Sequence, residues 1–470
     1  MYPDVLATIQ RPSRRSLLRS GLGLPVVAGL QFPHSFSSTQ SRCFADERDR
    51  PVSSTFGRAK RCLFIFLNGG PSQLDTWDMK LDAPAEVRGE LQPIATKTPG
   101  VVASELLPRM AMLTDRFKIV RTVTHSASVH TTGVYTMLTG TEHQTPKVDQ
   151  TVIRPDDHPH LGSIVSSQLG WRNGSPSFLC LPSLFRAPPV EGIWPGQTAG
   201  FLGRKFDPFV VDGDKQSARF RISEIDMPRE LATNRLVARQ SLSRHLNRIP
   251  TGETKSSRIW NEINEQAWSL VASSKLQNAA NLERESAETH ERYGRHLFGQ
   301  GMLLARRLIE SEVPFVTVYW NDPTPAGAGG GEFDSHGFLY KHMRNRLMPP
   351  TDRALAAVFE DLWERGLERD TLVVVLSEFG RTPRINKDAG RDHWPEAQSI
   401  LMAGAGITGG TVHGATDREA AYPISDPVTP PDLGQTILHL LGLSPDLELR
   451  DSQNRPVRAS HGHVDHKLIS

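Results

Sequence analysis

The run Cys62-Leu63-Phe64-Ile65-Phe66-Leu67 is apolar at every position and stops at Asn68-Gly69-Gly70-Pro71. A strand with one wet face alternates apolar and polar side chains. One without alternation is covered on both faces, as strands of parallel sheets are, and the Asn-Gly-Gly-Pro signal closes it with a turn. Similar apolar runs return at Val313 to Trp320, at Thr371 to Leu376 and at Ser399 to Ala403, the last ending in Gly404-Ala405-Gly406. Phe117 to Val123 reads as another strand. Helical spacing lies between them. Asp352 to Leu367 puts Leu355, Val358, Phe359 and Leu362 on one face, and Pro431-Asp432 caps a helix over Leu433 to Leu441. Such alternation predicts an α/β fold, a doubly wound, mostly parallel sheet with helices on both faces. The domain is expected over about residues 60–450, with a charged helical insertion at about 215–300.

At the N-terminus, Ser13-Arg14-Arg15-Ser16-Leu17-Leu18-Arg19 precedes an apolar run from Gly21 to Phe32 that is short for a bilayer span. Paired arginines before a modest apolar run read as a twin-arginine export signal, here with a polar linker over residues 1–45. The other reading is a basic tail with a chance arginine pair. No later run reaches the ~18 apolar residues of a membrane helix, so the expected location is periplasmic or extracellular, with no integral membrane segment in the mature chain. The net charge of +2 excludes the strongly basic footprint of a nucleic-acid binder. Cys43, Cys62 and Cys180 have no metal-like spacing, and whether Cys62 and Cys180 pair is open at this point.

In open α/β sheets, ligands bind where loops leave the carboxyl ends of the strands. Polar clusters follow several predicted strands: Asn68 with Asp75 and Asp78; His125, Ser128, His130, Thr131 and Thr132; Asp322, then Asp334-Ser335-His336; and Glu378, then Arg391-Asp392-His393. Mixed carboxylates and imidazoles suit a divalent ion, zinc, manganese or iron rather than calcium, with zinc or manganese expected first. The expected metal ligands are therefore Asp75, Asp334, His336, Glu378, Asp392 and His393. Arg381 and Arg391 are candidates to hold an anionic ester through planar, bidentate contacts. Each residue also has a structural reading. Asp75 and Asp78 suit a helix start, Glu378 could pair with Arg381 or Arg384, and His393 could be a hydrogen-bonded core residue.

The stretch Asn68-Gly69-Gly70-Pro71-Ser72-Gln73-Leu74-Asp75-Thr76-Trp77-Asp78 resembles the opening motif of the DUF1501 family. So, as later motifs, do Leu303 to Leu308, Asp334-Ser335-His336-Gly337, Ser377-Glu378-Phe379-Gly380-Arg381-Thr382-Pro383 and Gly390-Arg391-Asp392-His393-Trp394-Pro395. The resemblance implies an exported protein related to the alkaline-phosphatase/sulfatase superfamily, with an alkaline-phosphatase-like fold and metal sites around a Ser, Thr or formylglycine nucleophile. Asn68 then stands where those enzymes have an Asp ligand. Glu378 takes a ligand position, Phe379 stands where a histidine is expected, Asp334 and His336 resemble an Asp/His pair, and His393 resembles a late histidine ligand. Leu138-Thr139-Gly140 resembles the end of the sulfatase signature, which puts His130 at the formylglycine cysteine position; no Cys-x-Pro-x-Arg occurs. The nucleophile is left open among Thr131, Thr132 and Ser128, with His130 as ligand or base. The expected function is a metal-dependent hydrolase of phosphate or sulfate esters, acting on a small anionic ester or a sulfated or phosphorylated glycan with Asn68, Arg381 and Arg391 as substrate contacts. Its competitor is a non-catalytic exported binding protein on the same fold.

Overall fold

All six residues of β1 (Arg61–Phe66) are buried, and their side chains part into two separate apolar layers. Leu63 and Ile65 join one layer; Cys62, Phe64 and Phe66 join the other. A sheet covered on both sides explains why the sequence here does not alternate. Each large apolar side chain so buried contributes on the order of 1.5–3 kcal/mol.

A computed structural model describes residues 55–150, 152–172, 174–186, 192–214, 217–221, 264–270, 273–320 and 332–470, with single positions 241 and 261. They belong to one compact unit, Val52–Ser470. The expected export signal, Cys43, Asp322 and most of the expected helical insertion lie outside the described residues.

The further strands of the main sheet are β2 (Phe117–Val123), β3 (Phe178–Leu181), β4 (Phe209–Val210), β5 (Phe315–Tyr319), β6 (Thr371–Leu376), β7 (Gln398–Ala403) and β8 (Thr411–His413). In space they run β8-β2-β7-β6-β1-β5-β3-β4. Neighbours pair in parallel except at β7, which is antiparallel to both β6 and β2. The helices that cover the sheet are α1 (His130–Thr139), α2 (Leu161–Leu169), α3 (Leu297–Glu310), α4 (Met348–Glu364) and α5 (Pro430–Leu440). α3 and α4 pack on the layer of Leu63, while α1, α2 and α5 pack on the layer of Phe64. The expected doubly wound α/β architecture is the observed one.

Some boundaries differ from expectation. α4 (Met348–Glu364) follows directly on a π-helical turn, Met343–Leu347, and carries Pro349 and Pro350 just after that junction. Asp352, expected to begin the helix, accepts instead from the Arg109 and Met110 amides at 3.0 and 2.9 Å. α5 is capped by Thr429, whose hydroxyl accepts from the Asp432 amide at 3.3 Å. Cys62 and Cys180 are free and buried; they sit on β1 and β3, with β5 between them. No helix among the described residues is long and apolar enough to cross a membrane.

The carboxyl ends of β1, β2, β5 and β6 share one rim of the sheet. Because β7 runs the other way, its amino end lies on that rim too. It carries there a two-stranded ribbon, Gly380–Arg381 against His393–Trp394, in which Arg381 is the register partner of His393.

Candidate metal centre

Four chain segments meet at this rim. The first is the turn after β1. Gly69 has φ of 98°, and a Cβ there would stand 2.5 Å from the Asp334 amide nitrogen, so only glycine lets the Asp334 segment cross so closely. The second is the start of α1, where His130 is the first helical residue. The third is the segment carrying Asp334 and His336, and the fourth is the ribbon carrying Arg381 and His393.

Asp334 is the focus. Its Oδ2 lies 3.2 Å from His130 Nε2, and its Oδ1 lies 3.0 Å from His336 Nε2 and 3.3 Å from His393 Nε2. The ligand atoms of His130, Asp334 and His393 all fall within 4.8 Å of one another. Two ligands at zinc bonding distances of about 2.0–2.1 Å, placed tetrahedrally, stand about 3.3 Å apart. His130 and His393 each stand at about that edge from the Asp334 carboxylate, the first from Oδ2 and the second from Oδ1. His336 Nε2 lies 3.0 Å from His393 Nε2, on the open side, and half of its side chain is exposed.

The outer nitrogens are each anchored. His130 Nδ1 meets Glu378 Oε1 at 2.7 Å, His393 Nδ1 meets the Ser128 carbonyl at 2.9 Å, and His336 Nδ1 meets Asp392 Oδ1 at 2.6 Å. Each anchor accepts from Nδ1–H, so each ring turns its Nε2 toward Asp334, the orientation common around metal-bound imidazoles. His130 Nε2 is buried and makes no well-formed hydrogen bond, Asp334 being near but off-angle. A buried imidazole nitrogen that faces a carboxylate without a well-formed hydrogen bond fits a cation. Three protein ligands with one side open is the pattern of a catalytic rather than a structural zinc site.

Electrostatics point the same way. Burial opposes charge on His130, but the Asp334 and Glu378 carboxylates outweigh it and raise its pKa to about 9. Burial would raise the Asp334 pKa too, yet three imidazoles and Arg381 hold it far below the carboxylate range. Glu378 is also lowered, with burial opposed by His130 and Ser377. Burial pushes His393 down, towards the neutral form that binds metal. Asp334 and Glu378 together carry one more negative charge than Arg381 neutralises. A proton on His130 or a bound cation balances it.

Of the residues expected at the site, His130, Asp334, His336 and His393 meet, and Glu378 and Asp392 stand directly behind histidines. Several expectations need correction. Glu378, expected to ligate, is fully buried and its oxygens take His130 Nδ1, the Gly69 amide at 2.8 Å and the Ser377 hydroxyl at 2.6 Å. Asp392 likewise faces His336 Nδ1 rather than the centre. Asp75 is no ligand either. It forms a fully buried pair with Arg391, Nε to Oδ2 at 2.7 Å, and Arg391 also donates to the carbonyls of Val87, Thr382 and Pro383. Arg381 has no free fork for an ester, since it donates to the carbonyls of Gly69, Gly70 and Arg391 and to Asp334. The Thr131 hydroxyl is also engaged, donating to Asp149 at 2.9 Å and accepting from the Gln150 amide at 3.0 Å. Thr132 donates to the Pro146 carbonyl. Asn68 is buried, its Nδ2 donates to the Trp320 carbonyl at 3.0 Å, and its Oδ1 finds no partner among the described residues.

Two contributors escaped the sequence reading. The Ser128 carbonyl is a backbone group, invisible in residue type. Phe379, noted only as unable to ligate, packs against the rings of His393 and His130 at 4.4 and 4.9 Å and closes the back of the centre. The room for it comes from Gly70, where a Cβ would lie 2.9 Å from the Phe379 ring.

A family model described as "Protein of unknown function (DUF1501)" matches residues 59–469. No curated protein matches the chain. Solved structures similar to it include the phosphonate monoester hydrolase of Agrobacterium radiobacter, at 13% identity, covering 87% of this chain and 77% of that one with a TM-score of 0.38. A sulfatase from Pseudoalteromonas sp. is similar at 14% identity, over 88% of this chain and 72% of that one, with a TM-score of 0.37. A protein in the alkaline phosphatase superfamily from Vibrio parahaemolyticus is similar at 13% identity, over 83% and 67%, with a TM-score of 0.37.

Proposed function

The chain belongs to the DUF1501 family, and from that premise and the geometry around Asp334 we propose that it is a divalent-metal-dependent hydrolase of phosphate or sulfate esters, exported by the twin-arginine route. The observation that carries the reading is the convergence of His130 and His393 Nε2 on the Asp334 carboxylate, with each Nδ1 anchored. Zinc or manganese is the ion these donors suit. Bound there, it supplies Lewis acidity toward an ester oxygen and a nucleophile at neutral pH.

The chain's own groups then have defined work. Arg381 holds Asp334 in place from the buried side at 2.6 Å. Phe379 keeps water from the back of the two imidazoles. On the open side, Asp392 accepts from His336 Nδ1 and keeps the ring turned with its Nε2 toward Asp334. With Thr131 and Thr132 engaged elsewhere, a water attacks rather than a threonine hydroxyl. The substrate is a small anionic ester or a sulfated or phosphorylated glycan. One observation favours the alternative, a non-catalytic binding protein: the guanidinium groups of Arg381 and Arg391 are both occupied by the protein itself.

The test is turnover of a panel of aryl phosphates and aryl sulfates by untagged protein, with and without added zinc or manganese. The hydrolase reading expects metal-dependent turnover that vanishes in His393→Ala. Bound metal without turnover on any ester would favour the binding protein.

A further inference from the structure

Glu378 looks, by position, like a metal ligand, but its surroundings assign it other work. We infer that Glu378 is the positioning residue of the centre, holding His130 so that its Nε2 faces the ion, and that it does not touch the ion itself. The inference rests on the proposed metal centre and concerns how the chain builds it.

A carboxylate offers about four lone-pair directions. Glu378 has three filled, by His130 Nδ1 at 2.7 Å, the Gly69 amide at 2.8 Å and the Ser377 hydroxyl at 2.6 Å. The two donors on Oε1 are held by the fold, whereas the Ser377 hydroxyl shares its one proton between Glu378 Oε2 and the Leu67 carbonyl, each at 2.6 Å. The Gly69 amide is locked by the turn that lets the Asp334 segment cross. The Ser377 hydroxyl also accepts from the Gly70 amide at 3.0 Å. His130 opens α1, and the next turn of that helix closes on Glu378, because a Cβ on Gly133 would lie 3.2 Å from the Glu378 Cβ. The residue is fully buried. Oε1 already takes both His130 Nδ1 and the Gly69 amide, so an ion on that oxygen would displace one of them, and losing His130 Nδ1 would cost Nε2 its aim at Asp334. Oε1 cannot serve both roles. Ser128 does the equivalent for His393 with a backbone carbonyl, which no substitution can remove. Glu378 is therefore the anchor on the buried side that mutation can reach.

The experiment measures zinc affinity by chelator competition, and the visible absorption of the cobalt(II)-loaded protein, for wild type, Glu378→Gln, Glu378→Ala and His130→Ala. Glutamine keeps an acceptor for His130 Nδ1 and loses the charge. The positioning role predicts that Glu378→Gln still binds one ion per chain, about 10–100-fold more weakly, with cobalt bands of undiminished intensity. Glu378→Ala is weaker again, so that glutamine partly rescues it, and His130→Ala loses the ion. An unchanged affinity in Glu378→Gln would overturn the inference. So would loss of the ion or collapse of the cobalt bands in that variant, which would make Glu378 a ligand. If Glu378→Gln does not fold, Ser377→Ala carries the test, with a smaller weakening expected and no change in stoichiometry. A wild-type protein that binds one zinc but hydrolyses no ester would refute the hydrolase reading and leave this one standing.

Discussion

The two carboxylate–histidine pairs flanking Asp334 are chemically alike and physically opposite. On the inner side, Glu378 and His130 are 1% and 17% exposed; on the outer side, Asp392 and His336 are 54% and 46% exposed. Both contacts are short, at 2.7 and 2.6 Å. The inner pair lies in a low-dielectric setting, locked by the backbone of the first strand's turn and by the Phe379 ring, so its geometry is fixed before any ion arrives. The outer pair is screened by water and free to adjust. The same motif thus serves two ends: the inner half builds the centre, and the outer half is left able to yield to a substrate.

The comparison would break if burial alone made a residue part of the centre, and Asp75–Arg391 tests that. This pair is more buried than either dyad, with both side chains at 0% exposure. Asp75→Ala strands a buried guanidinium and is expected to cost about 3–5 kcal/mol of stability, read by urea unfolding. Zinc affinity of the folded variant is expected to stay unchanged. A second break would come from the inner half itself. His130→Ala is expected to weaken zinc by more than about 100-fold, beyond the usual effect of losing an outer partner, in the same chelator competition.

The meaning of an interior site can be sharpened with a histidine that has no place in the centre. His160 is fully buried, its Nδ1 accepts from the Gly162 amide at 2.8 Å, and its ring stacks on Phe178 at 4.7 Å. Burial pushes its pKa down to about 3. Folding therefore favours the neutral ring. The stability it supports is complete above about pH 6.5, where the unfolded chain is neutral as well, and falls as pH drops toward 3. Roughly 2 kcal/mol should be gone by pH 5, and His160→Phe should flatten that part of a stability–pH curve. The smallest effect belongs to the outer dyad. Asp392→Asn is expected to weaken zinc less than about 10-fold, because water can replace an exposed partner. An Asp392→Asn penalty equal to that of Glu378→Gln would erase the distinction between the halves.

How far the sequence revealed this depends on what each feature needs. β1 and β6 were legible because a strand covered on both faces leaves an unbroken apolar run. Asp334, His336 and His393 were legible as candidates because few other side chains bind a divalent ion. The direction of β7 was not: a strand buried on both faces reads the same either way, yet its reversal brings His393 to the rim. Nor was the division of labour between Glu378 and Asp334. Both are carboxylates after strands, and what separates them is the Gly69 amide and the Ser377 hydroxyl occupying one, a matter of folded geometry. Arg391 was misread for a like reason, since its partner Asp75 lies 316 residues away in the chain.

The measurement that tests the central claim most directly is an anomalous difference map from crystals soaked with equimolar zinc. The account predicts one strong peak about 2.0–2.1 Å from His130 Nε2, His393 Nε2 and an Asp334 oxygen, with Glu378 behind His130 and out of bonding range. A peak seated on the Glu378 carboxylate, or no peak between these residues, would contradict it.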